Sequence, residues 1–119
     1  MPDADQVILE VVRGLRDPSS LSSIGVNVTF NKGMLEIDNA TSLLVVAQSR
    51  DVAKGLLRLR HDPQALQRWA SFLLASSAII DLSLEDDQYG DVLLEGLWDA
   101  HGGGPVRPGA IAAAEELRE

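Results

Sequence analysis

The chain has 119 residues, 45% of them hydrophobic and 24% charged, with a formal net charge of −8 and no cysteine. Such a length suits one domain, the apolar fraction sets it apart from disordered chains, and the missing thiols exclude disulfides and thiolate metal sites. An acidic surface repels nucleic acid and anionic lipid and hastens encounter with basic proteins, so the expected partner is a protein with a basic surface.

The opening "MPDADQ" is acidic where a signal peptide is basic, and no apolar run approaches the ~20 residues that span a bilayer. The expected location is therefore the cytoplasm, with no membrane association. Without a secretory signal, the sequons at Asn27 and Asn39 carry no weight and belong to strand and turn chemistry. The only aromatics are Phe30, Trp69, Phe72, Tyr89 and Trp98, so the core is expected to rest on aliphatic packing.

In chain order, "DQVILEVVRGLR" (5–16) places Val7, Ile8, Val11, Val12 and Leu15 on one face, which predicts a first helix. "DPSS" (17–20) breaks that pattern and predicts a short loop. "GVNVTF" and "MLEID", separated by "NKG", alternate apolar and polar residues as a hairpin does. The continuous apolar run "SLLVVA" (42–47) predicts a third strand covered on both faces, with a short buried helix as the alternative.

Ser49 is a candidate cap for "RDVAKGLLRLR", and Asp62-Pro63 is a strong start signal, with aspartate at the cap and proline at the first helical position. These predict an αα-hairpin of helices at about 50–61 and 63–77, the second buried through Leu66, Trp69, Ala70, Leu73 and Leu74. "IIDLSLEDD" (79–87) reads as a linker into a helix that starts between Ser83 and Asp87 and buries Leu93, Leu94, Leu97 and Trp98. "HGGGP" ends that helix, Pro108 opens a last one, and Val106 is positioned to staple onto Ile111. Together these elements describe one α+β domain over 1–119: a small antiparallel three-stranded sheet at about 25–47, packed against four or five helices.

Charge is spread unevenly. Residues 81–119 hold ten carboxylates and two basic groups, whereas 50–80 hold five basic groups and two carboxylates. Asp87, Asp91, Glu95 and Asp99 recur every four residues and so line one exposed face of the fourth helix. Each like-charge pair at that spacing costs a helix about 0.2 to 0.5 kcal/mol, so a compensating positive surface is expected inside the protein or on a partner. The internal candidate is Arg50, Lys54 and Arg58, also spaced by four, with Arg60, His61 and Arg68 nearby. The external reading makes Asp87, Asp91, Glu95 and Asp99 a docking face, with Glu85 and Asp86 at its rim and Tyr89 as an apolar anchor. A third arrangement joins the acidic stripe of one copy to the basic strip of another in a homodimer.

Signals for chemistry are weak. The carboxylate-rich stretch lacks the order of a calcium loop, "GGGP" lacks the Lys-Ser/Thr of a phosphate loop, and the serine pairs fit no nucleophile motif. His61 and His101 fall at helix ends, where they complement the helix dipole. Trp69 and Trp98 lie in apolar stripes and are expected in the core, with an exposed binding anchor as the alternative. The expectation is a protein without catalysis, metal or cofactor, against the alternative of a small enzyme with a histidine beside a carboxylate in a concave pocket.

"SRDVAKGLLRLRHDPQALQRWASFLLAS" followed by "LLEGLWDA", covering roughly 49–100, resembles small acidic proteins of bacterial toxin-immunity systems. In several of those families a helix of the "VAxGLL" kind precedes one carrying "WA". The resemblance implies action by binding, with carboxylates covering a toxin's active surface, and neither catalysis nor cofactor.

Overall fold

The computed structural model describes residues 4–31, 34–39, 45–76, 80–83 and 89–118. Helix α1 (Ala4–Val12) buries Val7, Ile8, Val11 and Val12 on the stripe that their spacing predicts. It ends four residues earlier than the pattern implied, and Leu15, expected inside, is 51% exposed. The cause is Gly14, whose φ of +76° turns the chain out of the helix against the backbone of Gly55. At the same place the Trp69 indole N–H donates 2.9 Å to the carbonyl of Val12, satisfying an acceptor that the helix end leaves orphaned. Any side chain at Gly55 would meet that carbonyl and that ring, so the glycine permits the close crossing.

"DPSS" opens a 3₁₀ helix (Pro18–Ile24) in place of a plain loop, because Asp17 accepts from the Ser19 N–H and Pro18 presets the first turn. Leu21 anchors it in the core, and Gly25, at φ 85°, closes it. Strands β1 (Val26–Asn31) and β2 (Met34–Asn39) pair antiparallel, from Val26 opposite Asn39 to Asn31 opposite Met34.

The expected three-stranded antiparallel sheet does not form. Strand β3 (Val45–Gln48) pairs with neither β1 nor β2, but runs parallel to β4 (Ile80–Ser83), with Val45 opposite Ile80 and Gln48 opposite Ser83. The segment read as a linker thus supplies a strand. A parallel pair needs a long crossover connection, here supplied by the two helices of the αα-hairpin. Nor is β3 covered on both faces: Val45 and Ala47 are buried while Val46 is 53% exposed. Residues 42–44 of the predicted strand lie outside the described residues.

Helix α2 (Ser49–Leu59) starts one residue earlier than a Ser49 cap would place it, with Gln48 at the cap and the Asp51 carboxylate accepting the Gln48 N–H at 3.1 Å. Helix α3 (Pro63–Ala75) is capped by Asp62, which accepts from the Ala65 N–H at 3.2 Å, and it buries Leu66, Trp69, Ala70, Phe72 and Leu73. Helix α4 (Gly90–His101) packs on α3, and α5 (Pro108–Arg118) packs on α2 and α4. The molecule is dominated by helices, six among the described residues counting the 3₁₀ turn, around one apolar cluster that all of them enter.

The buried side of α4 is only half the predicted one: Leu93 and Leu97 are buried as expected, Leu94 and Trp98 are not. Leu93, Gly96, Leu97 and Ala100 face inward, while Leu94 is 38% and Trp98 57% exposed. Gly96 explains the rotation: a β-carbon there would stand 2.7 Å from the Ala110 Cβ of α5. The two helices meet through small residues on that side, and the larger Leu94 and Trp98 are turned away from it. Among the described residues, no helix is long and apolar enough to cross a membrane.

Candidate functional site

The outward side of α4 carries Asp91, Leu94, Glu95 and Trp98, all exposed, with half-buried Asp99 at its edge. Glu85, Asp86 and Asp87, the amino-terminal part of the predicted docking face, lie outside the described residues. The remaining carboxylates share the face that their spacing implied, but they are not equally free.

Arg107, on the segment between α4 and α5, folds back along the face. Its Nε donates to Asp99 Oδ2 at 2.8 Å and its Nη2 to Oδ1 at 3.0 Å, its backbone N–H reaches the same carboxylate at 3.1 Å, and its Nη1 pairs with Glu95. These bonds hold the Asp99 carboxyl below its ordinary range and raise the guanidinium above its own. Two of the three carboxylates thus share one cation, and the α4 face keeps a net negative charge, with Asp91 in none of the ion pairs among the described residues.

Tyr89 is not the free anchor that was expected. Its hydroxyl donates to the Glu116 carboxylate, tying the start of α4 to α5. The apolar prominence of the face is Trp98 instead, its ring edge-on to His101 with centroids 5.7 Å apart.

The internal pairing of the acidic stripe with the basic strip, one of the arrangements the spacing allowed, is absent among the described residues. Arg50, Lys54 and Arg58 are exposed on α2 and take part in none of the ion pairs there. Their neighbours are engaged elsewhere: Arg60 with Glu115, Arg68 with both oxygens of Asp17, and Arg13 with Asp51 at 2.8 Å. Lys54, Leu57 and Arg58, with Leu15 and Arg13 from the end of α1, line an open groove of about 550 Å³.

Neither histidine is hydrogen-bonded to a carboxylate among the described residues. His61 receives a hydrogen bond from Arg60 at 3.2 Å and borders a cleft of about 430 Å³ between the start of α3 and the glycine turn after α4. His101 Nδ1 lies 2.7 Å from the Ser71 hydroxyl, and the backbone carbonyl of the same residue accepts from Gln67. No hydrogen-bonded carboxylate completes the Ser71–His101 pair, and no group of three potential ligands for a metal ion occurs among the described residues.

Sequence reasoning placed Trp98 and Leu94 in the core and missed Arg107. A signal for the first two was present: Gly96 and Ala100 sit opposite "AIAAAEE", and small residues at helical spacing mark a close helix–helix contact. Compared with protein-family models, with curated proteins and with solved structures, the chain matches none.

Proposed function

We propose that this chain is a non-catalytic protein-binding module that docks a basic partner through the outward side of α4. The observation that carries the reading is Trp98, 57% exposed on the same side as Leu94, Asp91 and Glu95. An indole left in water on a charged helix is the composition of an interface centre, where tryptophan is enriched among the residues that dominate affinity. The acidic field steers a basic partner in. Asp91 and Glu95 then fix its register, while burial of Trp98 and Leu94 slows its departure. Asp99 contributes little, since Arg107 already occupies it. In its more specific form the reading is an immunity-type inhibitor acting in the cytoplasm and covering the basic working surface of a toxin. The resemblance over 49–100 and the acidic charge support it.

The experiment is capture from source-cell lysate by the wild-type chain, by Asp91→Lys/Glu95→Lys and by Trp98→Ala, followed by kinetics with the partner so identified. Charge reversal is expected to slow association roughly tenfold or more at low salt, and Trp98→Ala to hasten dissociation. An association rate that stays constant from low to molar salt would refute the steering mechanism.

A further inference from the structure

The α2 groove and the α4 face are complementary to each other. On α4, Asp91, Leu94 and Glu95 stand at i, i+3 and i+4; on α2, Lys54, Leu57 and Arg58 stand at the same spacing. One surface reads acid, apolar, acid and the other base, apolar, base. Because each pattern is symmetric in charge, opposite charges face one another whether the two helices run parallel or antiparallel.

Neither surface is fully paired among the described residues: on α4, Glu95 shares Arg107 with Asp99, but Asp91 enters none of the ion pairs. Lys54 and Arg58 are exposed and enter no ion pair among the described residues, and Leu15, beside them in the groove, is 51% exposed. Trp98 on the other surface is equally uncovered. Charge therefore selects the occupant of the groove: an acidic helix with a protruding apolar side chain, and this chain carries one.

We propose that a second copy of this chain is that occupant, with α4 of one molecule laid on α2 of the next, Leu94 against Leu57 and Trp98 in the groove beside Leu15. The proposal rests on reading the α4 face as a docking surface, and it names what covers that face when no other partner is present. Self-association then competes with partner binding, so the docking surface is held in reserve at high concentration and released on dilution or by a tighter ligand. A nucleic acid in the groove is disfavoured by the net charge of −8.

The test is sedimentation velocity over a wide concentration range at low salt and at molar salt. The wild-type mass is expected to rise above 12.8 kDa with concentration at low salt and to return to it at molar salt. Lys54→Glu/Arg58→Glu alone and Asp91→Lys/Glu95→Lys alone are each expected to weaken association at least tenfold. Mixing the two variants restores it, since each supplies the surface that the other has lost. All four positions are exposed, and circular dichroism checks that each variant is folded. A wild-type chain that stays at 12.8 kDa throughout overturns the proposal, and so does a mixture that fails to associate. The groove variant leaves α4 intact, so its capture of a basic partner reports on the docking reading separately.

Discussion

Gly55→Ala is the sharpest test of how α1, α2 and α3 are joined. Helix propensity alone says that the substitution stabilises α2 by about 1 kcal/mol. The packing says the reverse. An added β-carbon would lie 2.3 Å from the Val12 carbonyl oxygen and 2.5 Å from Trp69 Cζ2. Neither neighbour is a flexible side-chain tip, since one is backbone and the other belongs to a ring that is 1% exposed. Forcing the elements apart costs about 1–3 kcal/mol as overpacking. Displacing the indole from Val12 sacrifices a buried hydrogen bond whose two groups then lack partners, about 1–3 kcal/mol more. After subtracting the propensity gain, we expect a net loss of about 1–5 kcal/mol, a large share of the ~5–15 kcal/mol by which such domains are stable. The assay is urea unfolding followed by circular dichroism, with Gly102→Ala as control. At Gly102 the nearest atoms to an added β-carbon are 3.6 and 3.7 Å away, so the change should stay within about 0.5 kcal/mol. A Gly55→Ala protein as stable as wild type would refute the close crossing.

Trp98→Ala should leave the unfolding midpoint almost unmoved, a change of about 0.5 kcal/mol or less, while costing about 2 kcal/mol or more in association. Calorimetric titration beside thermal unfolding separates the two, and a large stability loss would place the indole in the core. Ser49→Ala removes a buried hydroxyl that has no hydrogen-bond partner among the described residues, so stability should hold or rise by about 0.5–1 kcal/mol in the same urea assay. Asp99, held down by Arg107, and Glu10, held down by Arg16, titrate below their unfolded values. For Asp17, burial works in the opposite direction and is outweighed by hydrogen bonds from Arg68 and Ser19. The stabilisation from all three is therefore fully present above the unfolded carboxylate pKa and fades as pH falls through the lowered native values. Arg107→Gln should return the Asp99 titration, followed by carboxyl NMR shifts, to the ordinary range, and an unchanged midpoint would mean that Arg107 is not the cause.

What the sequence disclosed was local. Asp62-Pro63 carries its own cap and first turn, so α3 begins where its residues say it must. The four-residue spacing of Asp91, Glu95 and Asp99 placed them on one side of α4 without reference to anything else. The errors came from contacts between distant segments. Pairing of β3 with β4 depends on α2 and α3 first bringing the strands together, and a four-residue strand inside a linker-like run leaves no periodicity to find. The end of α1 is set by Gly14 meeting Gly55, and the rotation of α4 by Gly96 meeting Ala110. Absence of a side chain reads as weakness in a sequence window, yet here it marks where two helices touch. Arg107 escaped notice for the same reason: it follows the acidic helix in the chain and returns to it only in space.

The parallel ladder between β3 and β4 has a kinetic corollary. Its hydrogen bonds wait on the long connection that carries α2 and α3, because no short turn can bring two codirectional strands alongside. The hairpin of β1 with β2 and the capped helices are free to form early from nearby residues, so Val45 to Gln48 should acquire amide protection among the last segments on refolding. A lesion that merely delays α2 or α3 would then leave two short strand edges open in the meantime, giving this small chain its period of greatest exposure to aggregation.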